Sequence, residues 1–162
     1  MLQRHGWRLF AHPLFLDQLE KLIAASDRAR QSEPATWQYN ANVKLLAVLR
    51  ELILDRIPRD PLVPSFRQGN TLGPARRHWF RAKFAGNRFR LLFRADSASR
   101  IIVYVWVNDR DTLRKAGAAS DPYAVFARML AAGNPPDAWT GLLAEVEDPV
   151  AEQRFVADVA KP

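Results

Sequence analysis

Cysteine is absent from all 162 residues. That excludes a disulfide framework, a thiolate nucleophile and a cysteine-ligated zinc site. The three histidines (His5, His12, His78) lie far apart, which argues against a histidine-built metal centre. No apolar run approaches the roughly 18 residues that a membrane span requires. The first residues, Met1-Leu2-Gln3-Arg4-His5, lead into mixed sequence rather than an apolar signal core. A cytoplasmic address without a membrane partner is the expectation. Acidic residues are missing where they would matter most: no Asp or Glu occurs between Pro61 and Arg94.

Hydrophobic residues make up 48% of the chain, enough for one packed domain and too many for wholesale disorder. The formal net charge is +7, and it is unevenly spread. Residues 60–115 carry twelve cations against four acids, whereas 116–162 carry three against seven. Arginine outnumbers lysine 19 to 5. Its guanidinium suits bidentate phosphate recognition and stacking on bases, so a polyanion, most simply nucleic acid, is the expected partner.

Apolar periodicity predicts a short edge strand at Trp7-Arg8-Leu9-Phe10 and an amphipathic helix over about 13–31. A second helix runs from near Glu33-Pro34 to before Pro58, on a stripe containing Trp37, Leu45, Leu49 and Leu52, completing a helical hairpin. Residues 58–75, with four prolines and two glycines, read as a loop. Strand-like runs follow at about 77–85, 88–95 and 100–107. Gly86-Asn87 offers a two-residue type II′ turn between the first two. Ser120-Asp121-Pro122 caps a helix carrying Tyr123, Phe126 and Leu130, and a last short helix is expected from Asp137 to about Glu147. Residues 148–162 have weak periodicity, so a frayed tail is expected. Helices followed by an antiparallel meander make an α+β fold.

Side chains alternate faces along a strand. By parity, Arg77, Trp79, Arg81 and Lys83 share one face of the first run, and Arg88, Arg90, Leu92 and Arg94 one face of the second. In the third, Tyr104, Trp106 and Asn108 lie opposite Ile101, Val103, Val105 and Val107. The hairpin pairs Lys83 with Arg90 and Arg81 with Leu92, and a one-residue slip would bury the arginines. The next hairpin sets Arg90 beside Trp106 and Leu92 beside Tyr104. The expectation is one apolar face for the helices and one open face of arginine, lysine and aromatics. Like charges opposite one another cost some tenths of a kcal/mol per pair, so that face calls for a function. Cations with stacking aromatics suit single-stranded nucleic acid.

No paired carboxylates, phosphate-cradling glycine motif or Ser-His-Asp spacing accompany this face. Divalent-metal nuclease chemistry needs carboxylates that it lacks. Cleavage of RNA by its own 2′-hydroxyl remains open, because arginines can stabilise the pentavalent phosphate. Lys83, flanked by Arg81 and Arg90, is a candidate base; parity turns His78 to the apolar face as a structural residue.

At these residues the sequence resembles the YhaV toxins of type II toxin–antitoxin systems, within the RelE/ParE superfamily. The resemblance spans roughly residues 6–143. It rests on Gly6-Trp7, Ala11-His12-Pro13, Lys44-Leu45-Leu46-Ala47-Val48, Phe66-Arg67-Gln68-Gly69, Trp79, Arg81, Lys83-Phe84, Arg88-Phe89-Arg90-Leu91 and Phe93-Arg94. Trp106, Asn108-Asp109, Thr112-Leu113-Arg114, Tyr123, Val125-Phe126, Gly133, Pro135-Pro136 and Trp139 continue it, in order and at matching spacing. It implies a single RelE-like toxin domain over 1–147, with 148–162 as tail. It also implies an endoribonuclease that cleaves mRNA, on the ribosome, and so halts translation and growth; the carboxylate-free basic face adds the expectation that it works without metal or cofactor. Catalysis would fall to Arg81, Lys83 and Arg90. The parity of the basic face gives RNA binding to Arg77, Trp79, Arg88, Arg94, Tyr104 and Trp106, and the resemblance adds Arg110, where related toxins often have a further basic residue. Related toxins often carry a tyrosine just beyond the last strand; here Ala116 stands there, so either Tyr104 or Tyr123 substitutes or the tyrosine is dispensable. The implied partners are a cognate AbrB-like antitoxin of the PrlF type and operator DNA, the latter only as the toxin–antitoxin complex that represses its own transcription. Two other classes remain open: a non-enzymatic ParE-like inhibitor and a plain RNA-binding module. An acidic antitoxin segment, or the chain's own acidic tail, would cover the basic face.

Overall fold

A five-stranded sheet runs through the middle of the structure, a computed structural model that describes residues 1–161. The strands are β1 (Leu2–Arg4), β2 (Trp7–Ala11), β3 (Phe80–Phe84), β4 (Phe89–Asp96) and β5 (Ile101–Val107), in the order β1-β2-β5-β4-β3. β2 pairs with β5 in parallel, and the other pairs are antiparallel. The strand expected at the edge is therefore internal, and β1 takes the edge beside it.

His12 and Pro13 turn the chain from β2 into α1 (Pro13–Ser32): Leu14 N donates to His12 Nδ1 (3.2 Å), and proline fills the first helical turn. The second expected helix is divided. A 3₁₀ turn at Trp37–Tyr39 ends at Asn40, whose side chain accepts from the Asn42 and Val43 amides and starts α2 (Ala41–Glu51) afresh. Trp37 consequently leaves the core stripe and is only half-buried. A π turn, Leu52–Arg56, joins α2 to α3 (Ile57–Arg59), which contains Pro58 rather than stopping short of it. Asp121 caps α4 (Pro122–Ala131) as its sequence predicts, and α5 (Trp139–Val146) follows. The tail does not fray: Asp148 caps α6 (Pro149–Ala160), which buries Ala151, Phe155 and Val159. Arg154 ties α6 to α1, donating to Glu20 (2.7 Å) and Asp17 (2.8 Å).

The core has two layers. α1, α2 and α6 pack on Phe80, Ala82, Phe84, Leu91, Phe93, Ile102 and Tyr104. On the opposite face, α4 and α5 cover Trp79, Leu92, Ile101, Val103, Val105 and Trp106. This corrects the open basic face: both faces of the sheet are buried, because the apolar stripes of α4 and α5 close the second one.

β3 pairs with β4 as the alternation dictates, Lys83 opposite Arg90 and Arg81 opposite Leu92. The connection differs, spanning residues 85–88 with Ala85, Gly86 and Asn87 all at positive φ; a type II′ turn would keep Asn87 negative. Between β4 and β5 the expected register fails. Leu92 faces Trp106 and Phe93 faces Tyr104, so Val105 bulges out of the ladder. The bulge sends Tyr104 and Trp106 to opposite faces of the sheet.

Candidate active site

At the β3 edge a cleft of ≈ 440 Å³ opens between the strand, the 64–67 loop and the end of the π turn. Arg56, Arg67, Arg81 and Lys83 line it together with Ser65 and Asn87. The loop is tied down around Gln68, which is buried: its Oε1 accepts from Thr71 Oγ1 and Leu72 N, and its Nε2 donates to the Arg76 carbonyl. Arg67 then bridges to Phe80, fixing the loop against β3.

Arg81 reaches across the strand edge. Its Nη1 donates to the Ser65 carbonyl (2.7 Å) and its Nε to the Tyr123 hydroxyl (3.0 Å). Arg90, only 5% exposed, donates from Nε to that hydroxyl (3.3 Å) and from Nη1 to the Asn87 carbonyl (2.7 Å). One phenol oxygen from α4 thus ties together a guanidinium in the cleft and another beneath it. The Tyr123 ring is faced by the guanidinium carbons of Arg114 (5.0 Å) and Arg90 (5.9 Å). Asn108, buried at the end of β5, accepts from Arg90 N (2.6 Å) and holds the start of β4 in place.

Among the described residues, none of Arg56, Arg67, Arg81, Lys83 and Arg90 pairs with a carboxylate. Among the described arginines and lysines only Arg59, Arg114, Arg154 and Lys161 form such pairs, so what marks the cleft is that its unpaired cations converge. A buried guanidinium held only by neutral acceptors is costly to keep without a counter-ion. The cleft's walls offer cations, a hydroxyl and an amide, with no carboxylate to hold a divalent cation.

The residues singled out in the sequence therefore separate. Arg81 and Lys83 meet in the cleft, and Arg90 lies beneath them. Arg88 is exposed on the adjoining 85–88 connection, and Arg77 is exposed and bonded to Asn70 (2.8 Å). The expected stacking aromatics are not available. Trp79 is fully buried, its indole donating to Asp137 (2.7 Å) and its ring edge-to-face with Phe126 (4.9 Å). Trp106 stacks on Phe126 at 5.7 Å. Tyr104 lies in the opposite core layer, donating to the Ile53 carbonyl (2.6 Å), and burial pushes its hydroxyl well above the ordinary tyrosine range.

Arg94 lies between the Trp79 and Trp139 rings (5.0 and 5.6 Å) and donates to the Asp137 carbonyl (2.6 Å). Burial pulls its guanidinium down to about 10, against the opposing charges of Asp137 and Asp96. It fastens α5 to the sheet. His78 also binds Asp137 (2.8 Å), outside the strand to which parity assigned it. Burial works against ionisation of Asp137, yet the Trp79 and His78 hydrogen bonds and nearby charge hold its carboxyl below the usual range. Arg110 lines a separate groove, with Gln18 and Lys21 of α1. Of the acidic segment 116–162, only α6 lies on the α1 side, α4 and α5 cover the opposite face, and none of its described residues lines the cleft.

Sequence reasoning overlooked Arg56 and Arg67; Tyr123 it offered as an alternative to Tyr104, and only Tyr123 reaches the cleft arginines. Arg67 lies inside the acid-free stretch, which was the available signal; Arg56 stands on a helix end and carries no such mark.

Comparison with known proteins places this chain in a family. The family model of a "toxin with endonuclease activity, of toxin-antitoxin system" matches residues 9–147. The "Ribonuclease toxin YhaV" of Escherichia coli strain K12 is 39% identical over 145 residues, covering 89% of this chain and 94% of the relative. "Toxin YhaV" proteins from Escherichia coli O6:H1 and O157:H7 match at the same identity and coverage. No solved structure matches significantly. The chain belongs to the YhaV family of toxins with endonuclease activity in toxin–antitoxin systems.

Proposed function

We propose that the β3-edge cleft cleaves RNA without a metal ion, by attack of the ribose 2′-hydroxyl on the adjacent phosphorus. The unpaired cations of the cleft carry this reading. In the step, the O2′–P bond forms and the P–O5′ bond breaks, leaving a 2′,3′-cyclic phosphate and a 5′-hydroxyl. Arg81 binds the phosphate oxygens, where negative charge accumulates in the pentavalent transition state. Lys83, exposed beside it, exchanges the proton between O2′ and O5′. Arg56 and Arg67 hold the neighbouring backbone phosphates, and Arg88 and Arg77 extend the path along the surface. Arg90 acts from below: it adds positive charge in a low-dielectric site and, through Tyr123, positions Arg81. The Tyr123 hydroxyl thereby supplies, from α4, the tyrosine missing at Ala116.

The wider reading is a RelE-like fold acting on mRNA at the ribosome. Membership of a toxin–antitoxin family implies an antitoxin, and the unpaired cations favour one that lays an acidic segment into the cleft. An AbrB-like, PrlF-type protein is our proposal, with operator DNA bound only by the complex and the toxin at work in the cytoplasm. Purified toxin should be incubated with mRNA, with and without ribosomes, in excess chelator, and the new ends characterised. Cyclic-phosphate and 5′-hydroxyl ends in chelator are expected. Cutting abolished by chelator, or 5′-phosphate ends, would contradict the mechanism.

A further inference from the structure

A second concave site lies away from the cleft, between α1 and α2. It has a volume of ≈ 300 Å³ and is lined by Ser26, Arg30, Trp37, Lys44 and Arg50 among others, sharing no residue with the β3-edge cleft. Three cations converge there. None of the three pairs with a carboxylate among the described residues, and no carboxylate lines the site. Arg30 lays its guanidinium over the Trp37 ring at 4.2 Å, which leaves its Nε buried without a hydrogen-bond partner. Ser26, 1% exposed, likewise has a hydroxyl with no partner. A helical serine ordinarily returns its hydroxyl to a carbonyl of the preceding turn; this one does not.

Two orphaned donors and three cations without a carboxylate partner, of which Arg50 already donates to the Val159 carbonyl (2.5 Å), describe a site missing an acceptor with several oxygens. We propose that this pocket binds a phosphate group, with Arg30 Nε and the Ser26 hydroxyl as direct donors and Lys44 and Arg50 as the surrounding charge. The guanidinium stacked on Trp37 is held flat, so its edge is preorganised for a tetrahedral oxyanion. The phosphate is that of a nucleotide, free or within an RNA strand. The site is independent of the cleavage chemistry, so its test requires no turnover.

Amide and indole resonances of the intact toxin should be followed while inorganic phosphate, a nucleoside monophosphate or a short RNA is added. The Trp37 indole and the amides around Ser26 and Arg30 should shift. Arg30→Gln should weaken phosphate binding at least tenfold and reduce the salt dependence of RNA binding by about one phosphate contact. Shifts with the monophosphate but not with RNA would assign the site to a free nucleotide; shifts with both would make it part of the RNA path. Ser26→Ala separates binding from folding, because deleting an unpartnered buried hydroxyl should raise the melting temperature while weakening phosphate binding. Unshifted resonances at millimolar phosphate would overturn the proposal. So would equal response to an acidic peptide, which would mark a protein contact instead.

Discussion

Replacing Tyr123 by phenylalanine removes one oxygen and leaves two guanidiniums without their common acceptor. Arg81 is half exposed, and water replaces the lost bond at its Nε. Arg90 is 5% exposed and keeps only the Asn87 carbonyl among the acceptors described for its side chain. The expected cost is that of one buried charged donor left unpaired, roughly 1.5–3 kcal/mol. For a chain of this size 1 kcal/mol moves the melting temperature by about 2–4 °C, so Tyr123→Phe should melt about 4–8 °C lower at a loss near 2 kcal/mol. Arg81 also loses its lateral tether, and a catalytic group misplaced by about 1 Å can slow a reaction by around 10²-fold.

The assay pairs thermal unfolding with single-turnover RNA cleavage below the melting transition. Cleavage should fall by roughly 10–100-fold, with RNA affinity little changed. Because Tyr123 acts through Arg81, adding Tyr123→Phe to an Arg81→Ala background should slow the reaction little further. An unshifted melting temperature, or fully additive rate losses, would refute the positioning role.

Arg110 lies in a groove beside α1 rather than in the cleft, so Arg110→Ala should leave single-turnover cleavage of naked RNA within about twofold of the parent; a loss comparable to that of Arg81→Ala would show that the cleft is incomplete. A pH effect is expected where α6 meets α1. Asp158 is buried with one oxygen unpartnered, close to Glu20, Arg154 and Lys161. Burial, and then the Glu20 carboxylate, push its pKa up to about 7 from an ordinary 3.8. The folded chain therefore holds a proton that the unfolded chain releases. Stability should fall as pH rises between about 4 and 7. Asp158→Asn should flatten that slope and raise the melting temperature at pH 8 but not at pH 4, as calorimetry across the range would show. Parallel profiles for the two proteins would contradict it.

The pairing of β3 with β4 was legible because Phe80, Ala82 and Phe84 alternate with Arg81 and Lys83, and only one register keeps these two cations off the apolar face, although Arg90 and Arg94 of β4 end up buried on the other. The cleft was legible to the extent that Arg81 and Lys83 fall on that alternation within an acid-free stretch. What covers the other face was not, since the stripe of Tyr123, Phe126 and Leu130 does not state which side of a sheet it will meet. One clue was present: Ile101 to Val107 is apolar at every position, as a strand buried on both faces must be. The Val105 bulge left no mark in that uniform run, and it defeated the parity of Tyr104 and Trp106. Periodicity made Tyr123 one more apolar residue of α4, seeing its ring and not its hydroxyl; only the resemblance marked it, with Tyr104, as a substitute tyrosine. Arg94 and Trp79 read as an RNA-binding pair; their contact is real, but Trp139 and Asp137 close over it.

The central claim is that the unpaired cations of the β3 edge stabilise a cleaving phosphodiester. Single-turnover cleavage of a defined RNA in chelator, by the parent, Arg81→Ala and Lys83→Ala, tests it most directly. Both side chains reach into an open cleft, so both variants should melt within a few degrees of the parent while cutting roughly 10²-fold or more slowly. A folded Arg81→Ala protein that cuts at the parental rate would contradict the account.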